Sequence, residues 1–165
     1  MYDPDGGLVA EVRATSLDPT EVVAPVSWDE AVAASASYPG FTTHPFPTCF
    51  VCGTERAEGD GLRLFPGRLA DRRTATPFLV PDDIRPELMW AALDCPGGWA
   101  VPLEGRPYVL GRLAARVDSL PAPGERCVVM GAMTGEDGRK AYTISSLYGA
   151  DGGLRATGRA TWIAL

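Results

Sequence analysis

The sequence holds one histidine, His44, and one lysine, Lys140, in 165 residues. A Ser-His-Asp triad would have to use His44, which sits in the stiff extended segment "HPFP". No Gly-x-Ser-x-Gly elbow occurs anywhere, so that kind of nucleophilic hydrolase is not expected. A Cys-His pair of His44 with Cys49 has no supporting motif either. No segment approaches the ~18 consecutive apolar residues of a membrane span, so no membrane partner is expected. The opening "MYDPDGG" lacks the basic start and apolar run of an export signal, which points to the cytoplasm. Positive charge is also scarce: 15 basic against 21 acidic residues leave a net charge of −6. Such a chain has no basic face for phosphate neutralisation, and no nucleic-acid partner is expected.

Cysteine is present but sparse, at Cys49, Cys52, Cys95 and Cys127. Without an export signal these are expected as reduced thiols rather than a disulfide framework. Cys127 lies in the apolar run "GERCVVMGA" and reads as a small buried hydrophobe. Cys49 and Cys52 have the C-x2-C spacing of a zinc knuckle, yet no second C-x2-C pair follows. The expectation is therefore no metal. The alternative is a structural zinc on His44, Cys49, Cys52 and Cys95.

What the chain does have is enough length and apolar content, 45% of residues, for one domain with its own core. It also repeats itself. "DGGLVAEVRAT" at 5–15 and "DGGLRATGRAT" at 151–161 agree at eight of eleven positions. Residues 5–15 are accordingly expected as a strand. "VSWDEAVAASASY" predicts a short helix over 27–37, with Ser27 as N-cap and Glu30 closing a capping box. Residues 39–61 are rich in Pro, Gly and Cys and read as a long loop or linker. "LRLFPGRL" and "TATPFLV" read as strands.

"DIRPELMWAALDC" reads as a helix, with Asp83 able to cap it, Pro86 in its first turn and Glu87 at the positive end of its dipole. Its apolar residues surround it, so burial on most sides is expected. From residue 107 onward four strand-like runs follow, separated by "PAPG", "EDGR" and "DGG", each with the chemistry of a hairpin turn. One buried helix followed by a run of antiparallel strands is an α+β pattern.

Three stretches carry a family resemblance: "CFVCGTERAEGDGLRLFPG", "MWAALDCPGGWA" and the tail "RATGRATWIAL". They resemble the PaaI-like and actinobacterial double-hotdog acyl-CoA thioesterases, over roughly residues 44–165. The resemblance implies a hotdog fold, a long central helix wrapped by a curved antiparallel β-sheet. Residues 44–165 would form that domain. Residues 1–43 would be an N-terminal extension, its strand at 5–15 the orphaned closing strand of a missing first half, and the unit would complete itself as a homodimer. The activity implied is hydrolysis of acyl thioesters on coenzyme A or a carrier, without metal. A hydratase, or an acyl- or lipid-binding module without catalysis, is the alternative.

Asp94 is the candidate catalytic residue. A carboxylate on an otherwise apolar helix is costly unless it opens into a cleft or is hydrogen-bonded. In the proteins it resembles, the acid at this place acts as general base on water or as nucleophile. The other reading is a cap for the turn "DCPGGW". Trp90 and Trp99 flank Asp94 and are candidates for the acyl-chain wall, with Glu87 at the substrate end of the helix. Many relatives carry His-Gly-Gly or Asn-Gly-Gly at the helix start. Here "IRPELM" stands instead, where Pro86 removes a donor and Glu87 adds a negative charge. Arg139 and Lys140, in the turn "GRK", are candidates for the phosphates of coenzyme A.

Overall fold

The computed structural model describes residues 1–18, 20–103 and 105–165. Among these residues, besides a 3-10 turn at Pro39–Phe41, two α-helices and six strands follow in order: α1 (Trp28–Ser35), β1 (Gly67–Arg68), β2 (Thr74–Leu79), α2 (Pro86–Trp99), β3 (Tyr108–Val117), β4 (Arg126–Asp137), β5 (Lys140–Tyr148) and β6 (Leu154–Ala164). The strands make one antiparallel sheet in the order β1-β2-β4-β5-β6-β3. The four C-terminal runs are therefore four strands, and each predicted turn joins or precedes one. The strand expected over 62–69 shrinks to Gly67–Arg68.

β4 explains how the sheet serves two cores. Cys127 and Val129 point to one face while Val128 and Met130 point to the other, as the period of two demands. On the first face α2 buries Met89, Ala92, Leu93 and Trp99 against Phe78, Val129, Leu147 and Ala156. Cys127 is fully buried there, as its apolar run implied. On the second face α1 places Ala31 and Ala34 against Ala75, Val128 and Met130. Small residues on α1 let its backbone lie close to the sheet.

α1 starts as its sequence requires. Ser27 Oγ accepts the Glu30 amide at 3.2 Å and the Glu30 carboxylate accepts the Ser27 amide at 2.9 Å, a complete capping box. α2 departs from expectation at both ends. Asp83 does not cap it: the N-cap is Arg85, which makes no side-chain cap, while Asp83 pairs with the Arg85 guanidinium at 2.5 Å. The helix then runs through Pro96 to Trp99 rather than stopping near Cys95. Pro96 lacks an N–H, but burial of Cys95 through Trp99 on the sheet holds this turn in place. Thr74 Oγ1 donates to the Pro96 carbonyl at 2.6 Å, and Arg68 donates to the carbonyls of Trp99 and Val101 at 3.4 and 3.2 Å. A cation at the carbonyl end of a helix is favourably placed.

The strand expected over 5–15 does not form. One isolated bridge joins Tyr2 and Leu8, and residues 9–15 are exposed without a ladder. No neighbouring strand offers them hydrogen-bonding partners, and a strand without a ladder is not held. Among the described residues no helix is long and apolar enough to cross a membrane.

Candidate active site

The second half of α2 brings its one acid to a cavity of about 230 Å³. Asp94 and Trp99 line it from the helix, Tyr108 and Leu110 from β3, and Trp162 from β6. The register explains the convergence, since β3 and β6 run side by side with Leu110 opposite Trp162. Trp162 is fixed by its indole N–H, which donates to Thr143 Oγ1 at 3.2 Å. Asp94 Oδ1 is shielded from solvent and has no hydrogen-bond partner among the described residues. A polar atom left so in an apolar wall carries a desolvation penalty. That burial pushes the Asp94 carboxyl up to about 7, and the nearby Cys49 sulfur adds to the rise. The capping alternative for Asp94 finds no hydrogen bond in support at Oδ1.

No protein-family model matches the sequence, and no curated protein matches it. Solved structures do. A thioesterase superfamily protein superimposes with a TM-score of 0.60 at 19% identity, over 69% of this chain and 62% of its own. The chain thus spans less than two thirds of that neighbour. A hypothetical thioesterase from Streptococcus pneumoniae, solved with coenzyme A, matches at a TM-score of 0.55 and 9% identity, over 61% of this chain and 87% of its own. A Streptococcus mutans protein bound to acetyl-CoA matches at 0.56 and 9%, over 62% and 88%. The chain has the hotdog fold.

Within this hotdog unit the remaining candidates fall into three places. Trp99 is buried at the cavity wall. Trp90, two and a half turns earlier on α2, is 37% exposed. It lines a neighbouring groove with residues 8–15 and Leu110–Ala114 rather than the Asp94 cavity. Glu87 projects from the first turn, exposed, 3.9 Å from the Arg85 guanidinium, and does not line the cavity. Arg139 sits in the β4–β5 turn and Lys140 opens β5. The Arg139 guanidinium is committed to the Ala164 carbonyl at 2.7 and 2.9 Å, whereas Lys140 is exposed.

The loop at 39–61 is ordered against α2, with Val51, Cys52 and Gly53 buried. It supplies the rest of the cavity wall through His44, Pro45, Phe46, Cys49 and Cys52, which meet Cys95 of α2. Cys49, Cys52 and Cys95 place their sulfurs within 4.8 Å of one another. His44 Nε2 lies 3.3 Å from Cys52 Sγ and its ring stands edge-on to Trp99 at 5.2 Å. Hydrogen bonds from the Cys52 and Cys95 thiols hold the Cys49 thiol far below its usual range. The Cys52 thiol is pushed up to about 12 by its bond to Cys49, and Cys95 rises for the same reason and by burial. Desolvation holds His44 below its usual value.

Reasoning from the sequence missed Tyr108, Leu110 and Trp162 as cavity residues. Each reads as an ordinary strand residue, and only the β3–β6 register brings them to Asp94.

Proposed function

We propose that this protein hydrolyses acyl thioesters, with Asp94 as the group that handles the proton. The observation that carries the reading is the unpartnered Asp94 Oδ1 at the wall of an apolar cavity. The acyl chain enters between Trp99, Leu110 and Trp162, and its thioester carbon comes to rest at Asp94. The carboxylate takes a proton from water as the water oxygen bonds to the carbonyl carbon. The C–S bond then breaks, and the proton passes to the leaving sulfur, giving free acid and free thiol. Asp94 acting as nucleophile gives the same products through an anhydride that water opens.

The coenzyme A and acetyl-CoA held by two structural neighbours support coenzyme A as the carrier. Exposed Lys140 is the group for a phosphate, Arg139 being already engaged. The working unit is a homodimer. Its support is β3, an edge strand paired on one side only, by β6, since an unpaired edge invites a second chain.

A panel of acyl-CoA thioesters, assayed for released thiol, tests the reading. Turnover is expected, falling ~10²–10⁴-fold in Asp94→Asn with circular dichroism unchanged. Full turnover by that variant overturns the assignment. Saturable acyl-CoA binding without thiol release instead makes the chain an acyl-binding module. Lys140→Ala is expected to raise KM and leave kcat alone, and light scattering reads the dimer.

A further inference from the structure

The cysteines of the loop and of α2 are brought together by the fold, and the thioester chemistry above leaves them unused. We propose that Cys49, Cys52, Cys95 and His44 bind one zinc ion, which clamps the loop at 44–53 onto α2. The site is structural, because four protein ligands leave no open position for substrate.

The three sulfurs lie within 4.8 Å of one another, a span His44 does not share with all three, and two of the ligand–ligand distances match a tetrahedron. Zinc–sulfur bonds of ~2.3 Å at tetrahedral angles put two sulfurs about 3.8 Å apart. Cys49 Sγ and Cys95 Sγ are 3.7 Å apart. A sulfur and an imidazole nitrogen on the same ion stand about 3.6 Å apart, and Cys52 Sγ to His44 Nε2 is 3.3 Å. All four cysteines are free thiols, so no disulfide competes for these sulfurs.

The surroundings fit as well. Directly after the C-x2-C pair the chain reverses, with the Gly53 amide donating to the Cys49 carbonyl at 2.9 Å. Beside it the Trp99 indole N–H donates to Cys52 Sγ at 3.4 Å. Such N–H donors around sulfur stabilise metal-bound thiolates and orient them. On binding, all three sulfurs bond to zinc as thiolates, and the thiol protons they still carry leave to solvent. His44 needs one adjustment. Its Nδ1 now accepts the Phe46 amide at 2.9 Å, and a metal on Nε2 requires a proton at Nδ1. Two neutral hydrogen bonds, this one and that of Nε2 to the Cys52 carbonyl at 3.2 Å, are exchanged for a metal–nitrogen bond.

This inference stands on the sulfur geometry and does not depend on thioester turnover. Elemental analysis of the full chain, loaded with zinc and then desalted, is expected to give about one zinc per chain. Cobalt in its place is expected to show the visible bands of a tetrahedral thiolate site, shifted in His44→Asn. Cys95→Ser is expected to lose the metal and Cys127→Ser to keep it. Because Cys95 is buried and its replacement also tests folding, the wild-type chain supplies a second reading: zinc should protect three thiols from alkylation, counted by mass spectrometry, until a chelator releases them. Less than about a tenth of a zinc per chain after loading, or three thiols alkylated equally with and without chelator, overturns the proposal.

Discussion

Residues 2–8 and 148–154 fold alike, and the residues that follow them do not. In both places a glycine with positive φ makes the turn, Gly6 at 83° and Gly152 at 75°, a conformation few other residues adopt easily. The hydrogen bonds correspond as well. Asp3 N donates to Gly7 O as Gly149 N donates to Gly153 O, and Gly6 N to Asp3 O as Gly152 N to Gly149 O. Even the first cross-strand pair is shared, Tyr2 with Leu8 and Tyr148 with Leu154.

Beyond that pair the second copy becomes β6, flanked by β5 and β3. Among the described residues the first copy finds only the chain's first residue, whose carbonyl accepts from Val9 and Ala10 at 3.0 and 3.3 Å and whose ammonium donates to the Ala10 carbonyl at 2.8 Å. A turn is satisfied by the residues within it, whereas a strand needs neighbours along its whole length. The shared phrase therefore encodes a turn and not a strand.

Matched substitutions break this comparison most sharply at the buried alanine. Ala156 is fully buried, while its counterpart Ala10 is exposed. Ala156→Arg is expected to cost about 3–5 kcal/mol or abolish folding, since it buries an unpaired charge. Ala10→Arg is expected to leave the melting temperature unchanged in the same calorimetric scan.

Gly158 comes next. A Cβ there would stand 3.2 Å from Leu93 Cβ of α2, and the first copy carries Val12 at this place. Gly158→Val is expected to cost about 1–3 kcal/mol by overpacking, read from urea denaturation. Phrase 5–15 thus could not take the place of β6 without moving α2.

The tyrosines differ by one hydrogen bond. Tyr148 Oη donates to the Val23 carbonyl at 2.8 Å in the core of the second face, and Tyr2 is 70% exposed. Tyr148→Phe is expected to cost about 1 kcal/mol and Tyr2→Phe nothing measurable.

Acid separates the two turns more weakly. The Ala122 amide, then Ala150 and Arg155, hold the Glu125 carboxyl below its usual value of 4.5. A depressed carboxyl contributes its stability above the unfolded value and loses it as pH falls through the folded one. Glu125→Gln is expected to flatten the acid limb of the stability curve, with little change at neutral pH.

Deleting residues 1–15 should do least to the unit, shifting its stability by less than about 1 kcal/mol because these residues are exposed and ladder-free. Amide exchange sharpens the same contrast: residues 9–15 exchange freely and 155–161 are protected.

Features closed by near neighbours were legible in the chain. The Ser27–Glu30 capping box, the Gly-rich turns and the four C-terminal strands all read directly from spacing and alternation, because their hydrogen bonds or periodicity lie within a few residues. Asp94 also announced itself, as the acid in an apolar helix. The far end of α2 did not, since Pro96 and two glycines argue locally for a stop and only burial against the sheet overrides them.

The same division holds at the site. Sequence alone set the C-x2-C turn and placed a carboxylate on α2. Tertiary structure decided that Cys95 meets Cys49 and Cys52, that Trp162 and Leu110 wall the Asp94 cavity, and that one copy of a repeated phrase becomes a strand. Each of those outcomes rests on partners dozens of residues away, whose approach is driven by burial in the core as a whole. No short stretch of the chain carries that information.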